Sequence, residues 1–321
     1  MLYDVMFYEA FREEEESLRR LLPTTLRAGF TTHTVQAAAQ AEPPAPLLSI
    51  RTQSVIPSGW LPHLRGILAR TTGYDHLRGY PIQAPNLPLA CLPEYCTRAV
   101  AEQAALLWMA LLRHLPAQLR QWPAFNRDGL TGGECAGRTL VVVGVGRIGY
   151  EVARIGRGLG LRVLGVEVKP QHDDLTYATW TDAAPQADIV VACMDLNPTS
   201  HHYFRTETLA RLKSGAVLVN VARGELVDLA AVEVALAQGR LGGLAMDVFE
   251  EENRVADALR GLVEPTPAVA QLRQLVQRPD VIFTPHNAFN TLEAVERKSQ
   301  NTVEQLVHFC QQGRFRWPWH G

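Results

Sequence analysis

Three polar residues in the second half of the chain each stand just past an apolar run. Arg223 follows VLVNVA, Glu252 lies five residues beyond Asp247 in GLAMDVFEEE, and His286 follows VIFTP. A fixed cation, a carboxylate and an imidazole are the side chains needed to bind an anion and move a proton near neutral pH. Each alone has a plainer explanation: a surface ion pair, solvated acids, a structural histidine. If the apolar runs are strands of one open α/β sheet, all three fall on the rim where such sheets bind ligands.

A second pattern lies upstream. Gly144, Gly146 and Gly149 form G-x-G-x-x-G directly after TLVVV and ahead of a stretch with helical spacing. The next strand, LRVLGVE, ends in Glu167, 18 residues after Gly149. Gly144 permits a tight turn, Gly146 lets backbone approach a pyrophosphate, and Gly149 lets helix and strand pack closely. The helix that opens there offers free N–H groups and partial positive charge to phosphates. Glu167 can accept hydrogen bonds from a ribose 2′-hydroxyl and repel a 2′-phosphate, which favours NAD over NADP. Lys169, two residues on, is the opposing signal.

The elements that must position these residues can be read from the alternation of apolar strands and amphipathic stretches that begins near Thr139. Near-continuous apolar strands predict a parallel sheet covered on both faces. TETLARLKSG reads as a short helix with Thr206 as N-cap and Gly215 past its end. DLAAVEVALAQG reads as a helix between Asp228 and Gly239. The first ~100 residues form a smaller α/β unit. In it YDVMFYEAF is a strand leading into a charged helix, LLSI and GILART are strands, GWLPHLRG is helix-like, and Pro81 to Pro93 is loop. The acid run Glu13 to Glu16 reads as a solvated helix face. A final helix from Thr291 places Leu292, Val295, Val303, Leu306, Val307 and Cys310 on one stripe and is expected to return to the first domain. The boundaries expected are 1–98 with 288–321 for that domain and 99–287 for the dinucleotide domain.

The 321 residues suffice for two cores, and a net charge of −2 gives no cause to expect nucleic acid or a membrane as partner. No run reaches the roughly 18 apolar residues of a membrane span, and the N-terminus lacks the features of a signal peptide. Five cysteines without CxxC spacing suggest a reducing, cytoplasmic setting.

Four ordered motifs, LVVVGVGRIG, LVNVARGELVD, LAMDVFEEE and TPHNAF, resemble the D-isomer-specific 2-hydroxyacid dehydrogenases. ARTTGYDHL and YCTRAVAEQ resemble that family's substrate domain and connecting helix. The resemblance implies two doubly wound parallel-sheet domains, a Rossmann NAD domain and a smaller flavodoxin-like substrate domain, with a cleft between them. It implies that Arg223 binds the carboxylate and carbonyl oxygens of a 2-keto acid in a fork. His286 is then the acid in reduction and the base in oxidation, with Glu252 hydrogen-bonded to it. Asp247 would lie beside the nicotinamide, Met194 and Ala222 along the cofactor, and Arg147 and Ile148 on the pyrophosphate loop. Thr72 and Gly73 would hold the substrate carboxylate through backbone N–H groups. Tyr95 and Phe289 align with pocket aromatics of D-lactate dehydrogenases, and the long stretch between Glu252 and VIFTP is also as in those enzymes.

One segment departs from the family pattern. CMDLNPT carries Cys193 in place of a histidine and Asp195 in place of a proline; the cysteine reads as a small buried hydrophobe. His201 and His202 read as solvated loop, with no partners at metal-ligand spacing. The reading is therefore an NAD-dependent dehydrogenase of a small 2-hydroxy acid, pyruvate and D-lactate favoured. The helix from Val100 and PAQLRQWPAFNRDGL resemble the family's dimerisation region, which implies a homodimer. The alternatives are another keto acid (glyoxylate, hydroxypyruvate or a bulkier one) and a non-catalytic NAD(H)-sensing protein.

Overall fold

The computed structural model describes residues 1–319. It divides into two units, Met1–Cys96 with Asn290–Gly321, and Thr97–Phe289.

The first unit is a five-stranded parallel sheet of order β2-β1-β3-β4-β5. Its strands are β1 (Val5–Phe7), β2 (Ala28–Phe30), β3 (Leu47–Ile50), β4 (Gly66–Ala69) and β5 (Leu89–Ala90). The central strands β1, β3 and β4 are buried at every residue, as strands covered on both faces must be. Two of these strands escape a sequence reading. β2 is three residues long and contains a glycine, and β5 sits inside the proline-rich stretch expected to be loop, next to a helical turn at Tyr80–Gln83. GWLPHLRG is a short 3₁₀ segment, Ser58–His63, interrupted by Pro62.

The charged helix Arg12–Leu21 corrects the reading of the acid run as solvated. Glu14 is fully buried, and its Oε1 lies 2.9 Å from Arg70 Nε. The final helix, Leu292–Gln312, is capped by Thr291, whose side chain accepts from the Ala294 N–H, and ends at Gly313 in the left-handed conformation. Its inward face is displaced from the expected stripe. Leu292 and Cys310 are exposed, whereas Lys298, Ser299, Thr302 and Gln305 are buried beside Leu306 and Phe309. The helix packs on Arg12–Leu21, and Lys298 Nζ lies 2.7 Å from Glu14 Oε1. A polar stripe thus turns inward because a buried carboxylate waits there.

The second unit is a seven-stranded parallel sheet of order β12-β11-β10-β9-β6-β7-β8. Its strands are β6 (Thr139–Val143), β7 (Arg162–Val166), β8 (Thr176–Tyr177), β9 (Ile189–Ala192), β10 (Ala216–Asn220), β11 (Leu241–Met246) and β12 (Val281–Phe283). The order reverses between β6 and β9, the switch point where such sheets open a ligand crevice. Asp228 caps the helix Leu229–Ala237 as expected, accepting from Ala230 and Ala231 N–H groups. The short helix Thr206–Leu209 is capped one residue earlier than expected: Arg205 is the cap residue, and its N–H donates to Thr208 Oγ1. The sequence between Glu252 and β12 folds into two helices, Glu252–Leu259 and Pro267–Leu275, which share a small apolar cluster of Val255, Ala258, Val269 and Leu272.

Burial raises the Glu14 carboxyl, but the charges of Arg70, Lys298 and Arg51 outweigh it and hold the group down at about 2. The stability this supplies is present above the ordinary carboxyl value of 4.5 and is lost as pH falls toward about 2. Removing one partner of a buried ionic group leaves uncompensated charge. Glu14→Ala is therefore expected to cost ~3–5 kcal/mol in urea unfolding near neutral pH. A loss below ~1 kcal/mol would contradict the assigned pairing.

Candidate active site

The glycine loop joins β6 to the helix Arg147–Gly158. Gly144 has φ +89°, and a Cβ there would lie 2.4 Å from backbone atoms of Met194. A Cβ on Gly149 would lie 2.0 Å from Gly144 O, so this helix can meet its strand only through glycine. Gly146, at the helix start, is exposed, and a Cβ there would meet nothing within 4 Å. The turn thus needs glycine at two positions for packing and leaves open space at the third, which fits close approach of a pyrophosphate. Arg147 is exposed and Ile148 half-buried beside it.

A cavity of about 460 Å³ opens beside this turn, lined by Gly144, Val166, Glu167, Tyr177, Met194 and Tyr203 among others. Glu167 Oε2 accepts from Val145 N at 2.8 Å, and Oε1 accepts from Val168 N at 2.8 Å and Lys169 N at 3.1 Å. The Lys169 side chain belongs to an exposed residue. Of the departures, Asp195 is exposed, and burial pushes the Cys193 thiol up to about 12. That thiol is inert at neutral pH.

Sheet register brings the rim residues together. Asn220 pairs with Met246 across β10 and β11, and Met246 pairs with Phe283 across β11 and β12. Arg223, Asp247 and His286 follow those aligned positions by at most three residues. Gly224 lets the Arg223 turn meet the chain after β11, because a Cβ there would lie 1.9 Å from Phe249 C. Asn220 holds the turn itself. It is fully buried, its Nδ2 donates to Arg223 O at 2.7 Å, and its Oδ1 accepts from Ala222 N at 3.1 Å. Sequence reasoning passed over Asn220. The available signal was a polar residue inside an apolar strand, which burial forces to find partners.

His286 Nδ1 lies 2.8 Å from both Oε1 and Oε2 of Glu252. A carboxylate only accepts, so Nδ1 carries the proton and Nε2 is left for other chemistry. Both side chains keep roughly a fifth of their surface exposed. His286 has φ +50°, uncommon for a residue with a Cβ, and Glu251, which precedes Glu252, has φ +49°. Such backbone persists where its surroundings over-determine it.

Asp247 does that here. It is fully buried. Its Oδ1 accepts from Thr284 Oγ1 at 2.5 Å and Asn287 N at 2.9 Å, and its Oδ2 accepts from Ala288 N at 2.8 Å. His286 N donates to Asp247 O at 2.8 Å. Burial raises the Asp247 carboxyl, and these hydrogen bonds oppose the rise. Phe289, nearly buried, sets its ring edge toward the imidazole at 6.2 Å between centroids.

Three of the residues expected to face substrate, Thr72, Gly73 and Tyr95, belong to the first unit. Thr72 and Gly73 form a half-buried turn after β4, with Thr71 Oγ1 donating to Gly73 O at 2.7 Å. Tyr95 is buried. Thr72 Oγ1 lies 3.5 Å from Cys96 Sγ.

His201 and His202 have a partner that their sequence neighbourhood hid. Glu250 follows the end of β11, with Oε2 3.2 Å from His202 Nε2 and Oε1 3.8 Å from His201 Nε2. The imidazoles stack at 4.1 Å. The group is largely exposed, as a surface ion pair would be.

Residues 105–288 match the model of the D-isomer specific 2-hydroxyacid dehydrogenase NAD binding domain. A D-lactate dehydrogenase of Curvularia clavata is 32% identical over 250 residues, 76% of this chain and 71% of its own length. The D-lactate dehydrogenase of Escherichia coli is 30% identical over 248 residues, 75% of this chain and 74% of its own. The crystal structure of D-lactate dehydrogenase from Aquifex aeolicus, complexed with NAD and lactic acid, superposes with a TM-score of 0.85 at 25% identity, covering 99% of both chains. The chain belongs to the D-isomer-specific 2-hydroxyacid dehydrogenase family. It is an oxidoreductase, and its cofactor is NAD.

Replacing Asp247 by Asn would aim an NH₂ group at backbone donors. Asp247→Asn is therefore expected to cost ~1–3 kcal/mol of stability. It is also expected to lower kcat more than it raises the Kd for NADH, because the His286 turn loses its peg. Equal effects on kcat and NADH binding, measured by steady-state kinetics and fluorescence titration, would contradict a positioning role.

Proposed function

We propose that this protein reduces a small 2-keto acid, pyruvate foremost, to the D-2-hydroxy acid, and catalyses the reverse oxidation. The observation that carries the reading is the contact of both Glu252 oxygens with His286 Nδ1, on a rim whose register also presents Arg223. NADH bound at the glycine loop supplies the hydride. The Arg223 guanidinium binds the carboxylate and carbonyl oxygens of the keto acid together, so the acid is oriented before reaction. The same cation stabilises negative charge as it develops on the carbonyl oxygen. His286 holds its proton at Nε2 and delivers it to that oxygen, while Glu252 stabilises the imidazolium from the Nδ1 side. In oxidation His286 takes the proton back.

In this reading Asp247 both positions His286 and lies beside the nicotinamide. Gly144, Gly146, Arg147, Ile148 and Gly149 receive the pyrophosphate, Glu167 the ribose, and Met194 and Ala222 flank the rest of the dinucleotide. Backbone N–H groups of Thr72 and Gly73 hold the substrate carboxylate. Tyr95 and Phe289 bound the side chain of the acid, and two aromatic rings suit a methyl group better than a large substituent.

A homodimer is part of the proposal. The segment after the long helix Thr97–Leu112 exposes Leu119, Trp122 and Phe125 at 67, 70 and 68% of their surface, a density of large apolar side chains suited to a second copy. Light scattering is expected to give twice the chain mass, and Trp122→Glu to lower it. A monomeric wild type would contradict this.

The activity test follows NADH oxidation with a panel of 2-keto acids from glyoxylate and pyruvate to phenylpyruvate. Saturable turnover with pyruvate ranking high is expected. His286→Ala is expected to lose ~10²–10⁴ in kcat. A loss below about tenfold would remove the proton-transfer assignment, and tight NADH binding without turnover of any acid would favour a sensor.

A further inference from the structure

Lys298 is fully buried, yet helix packing does not explain it. Its neighbours on the inward polar stripe serve the chain locally: Thr302 Oγ1 donates to Lys298 O at 2.7 Å, and Gln305 Oε1 accepts from Arg316 N at 2.8 Å. The Lys298 ammonium joins Glu14 instead, at 2.7 Å, although Glu14 is already engaged by Arg70. One buried carboxylate with one guanidinium is balanced. A second buried cation adds a desolvation cost that the shared carboxylate offsets only in part. An apolar side chain would fill the space at less cost.

What the lysine reaches is the pair of elements proposed to face substrate. Arg70, which shares the Glu14 Oε1 atom with the lysine, immediately precedes Thr71, Thr72 and Gly73. The ammonium lies 5.8 Å from the ring centre of Tyr95 and 4.8 Å from that of Phe11. At the preceding helix position, Arg297 Nε donates to Tyr95 O at 2.9 Å. Cys96, which follows Tyr95, touches Thr72. Loop, tyrosine and helix are therefore tied to one buried group of charges.

We propose that Lys298 is a positioning residue for substrate selection: paired with Glu14, its ammonium fixes the Tyr95 ring relative to the Thr71–Gly73 turn and so sets the size of side chain the enzyme accepts. The inference rests on the reading that Tyr95 and this turn contact the keto acid. A cation against an aromatic face holds the ring only while it is charged. The groups facing Lys298 are Glu14 from the first helix, Arg51 after β3, Arg70 after β4, and Tyr95 and Cys96 after β5. Burial lowers the Lys298 ammonium to about 7; Glu14 opposes the shift, and Arg51 and Arg70 add to it. The charge that holds the ring is thus present below about pH 7 and lost above it.

The test compares wild type with Lys298→Met, which leaves the Glu14–Arg70 pair intact. The quantity read is the ratio of kcat/KM for pyruvate to that for 4-methyl-2-oxopentanoate. Proton transfer by His286 is common to both acids and cancels in this ratio. The variant is expected to shift the ratio roughly tenfold toward the bulkier acid, as a change in pocket fit of about a methylene would. NADH affinity, read by fluorescence, is expected to stay within about twofold, since the lysine lies outside the NAD-binding unit. The wild-type ratio is expected to fall as pH rises through about 7, and the variant's to stay flat. A folded variant whose ratio and pH profile match wild type overturns the proposal. Should the methionine variant fail to fold, Lys298→Gln, which keeps a donor toward Glu14 without the charge, is read by the same criteria. A wild type that turns over neither acid overturns the underlying functional reading and this inference with it. Turnover with an unmoved ratio overturns the inference alone.

Discussion

A single buried carboxylate organises the sheet rim that carries the candidate site. Asp247 has no solvent exposure; it accepts from the Thr284 hydroxyl and the N–H groups of Asn287 and Ala288. Those donors belong to the turn that holds His286 at positive φ. A left-handed, non-glycine residue on a short loop would relax if nothing opposed it. Here relaxation would strand a buried carboxylate, and that cost exceeds the strain. The imidazole is thereby aimed before any ligand arrives, and Glu252 needs only to orient its Nδ1.

The same economy recurs at the neighbouring strand end. Asn220 closes the Ala222–Arg223 turn with side-chain bonds, and Gly224 lets that turn meet the chain after β11. Three adjacent parallel strands in fixed register thus deliver an arginine turn, an aspartate peg and a histidine turn to one edge. In the first unit a different solution serves a similar end: Glu14, Arg70 and Lys298 form a fully buried ionic group beneath the Thr71–Gly73 turn and Tyr95. Both units use a buried carboxylate next to a turn, together with side chains of the turn itself such as Thr71 and Thr284.

Much of this was legible in the sequence because the signals are local. The long apolar strands of the NAD-binding unit, the glycine spacing before Arg147, the Asp228 cap and the Arg223, Glu252 and His286 positions follow from residue type and order. What was not legible depends on contacts distant in sequence. The acid run reads as a solvated face because nothing near Glu14 shows that Arg70 and Lys298 will meet it. The final helix was assigned its apolar stripe by period alone, and the buried polar residues rotate the true inward face away from Leu292 and Cys310. His201 and His202 seemed unpartnered because Glu250 lies 48 residues further along. The engagement of the Asp247 oxygens by Thr284, Asn287 and Ala288 likewise depends on residues 37 to 41 positions away. β2 and β5 are too short to leave a periodic pattern at all.

The central claim is that this rim transfers hydride and proton to a keto acid with the handedness of its family. The measurement that tests it most directly is the configuration of the product formed from pyruvate and NADH, resolved by chiral chromatography. D-lactate, formed in step with NADH consumed, is the predicted result. L-lactate, a racemate, or NADH bound with no lactate formed would contradict the account.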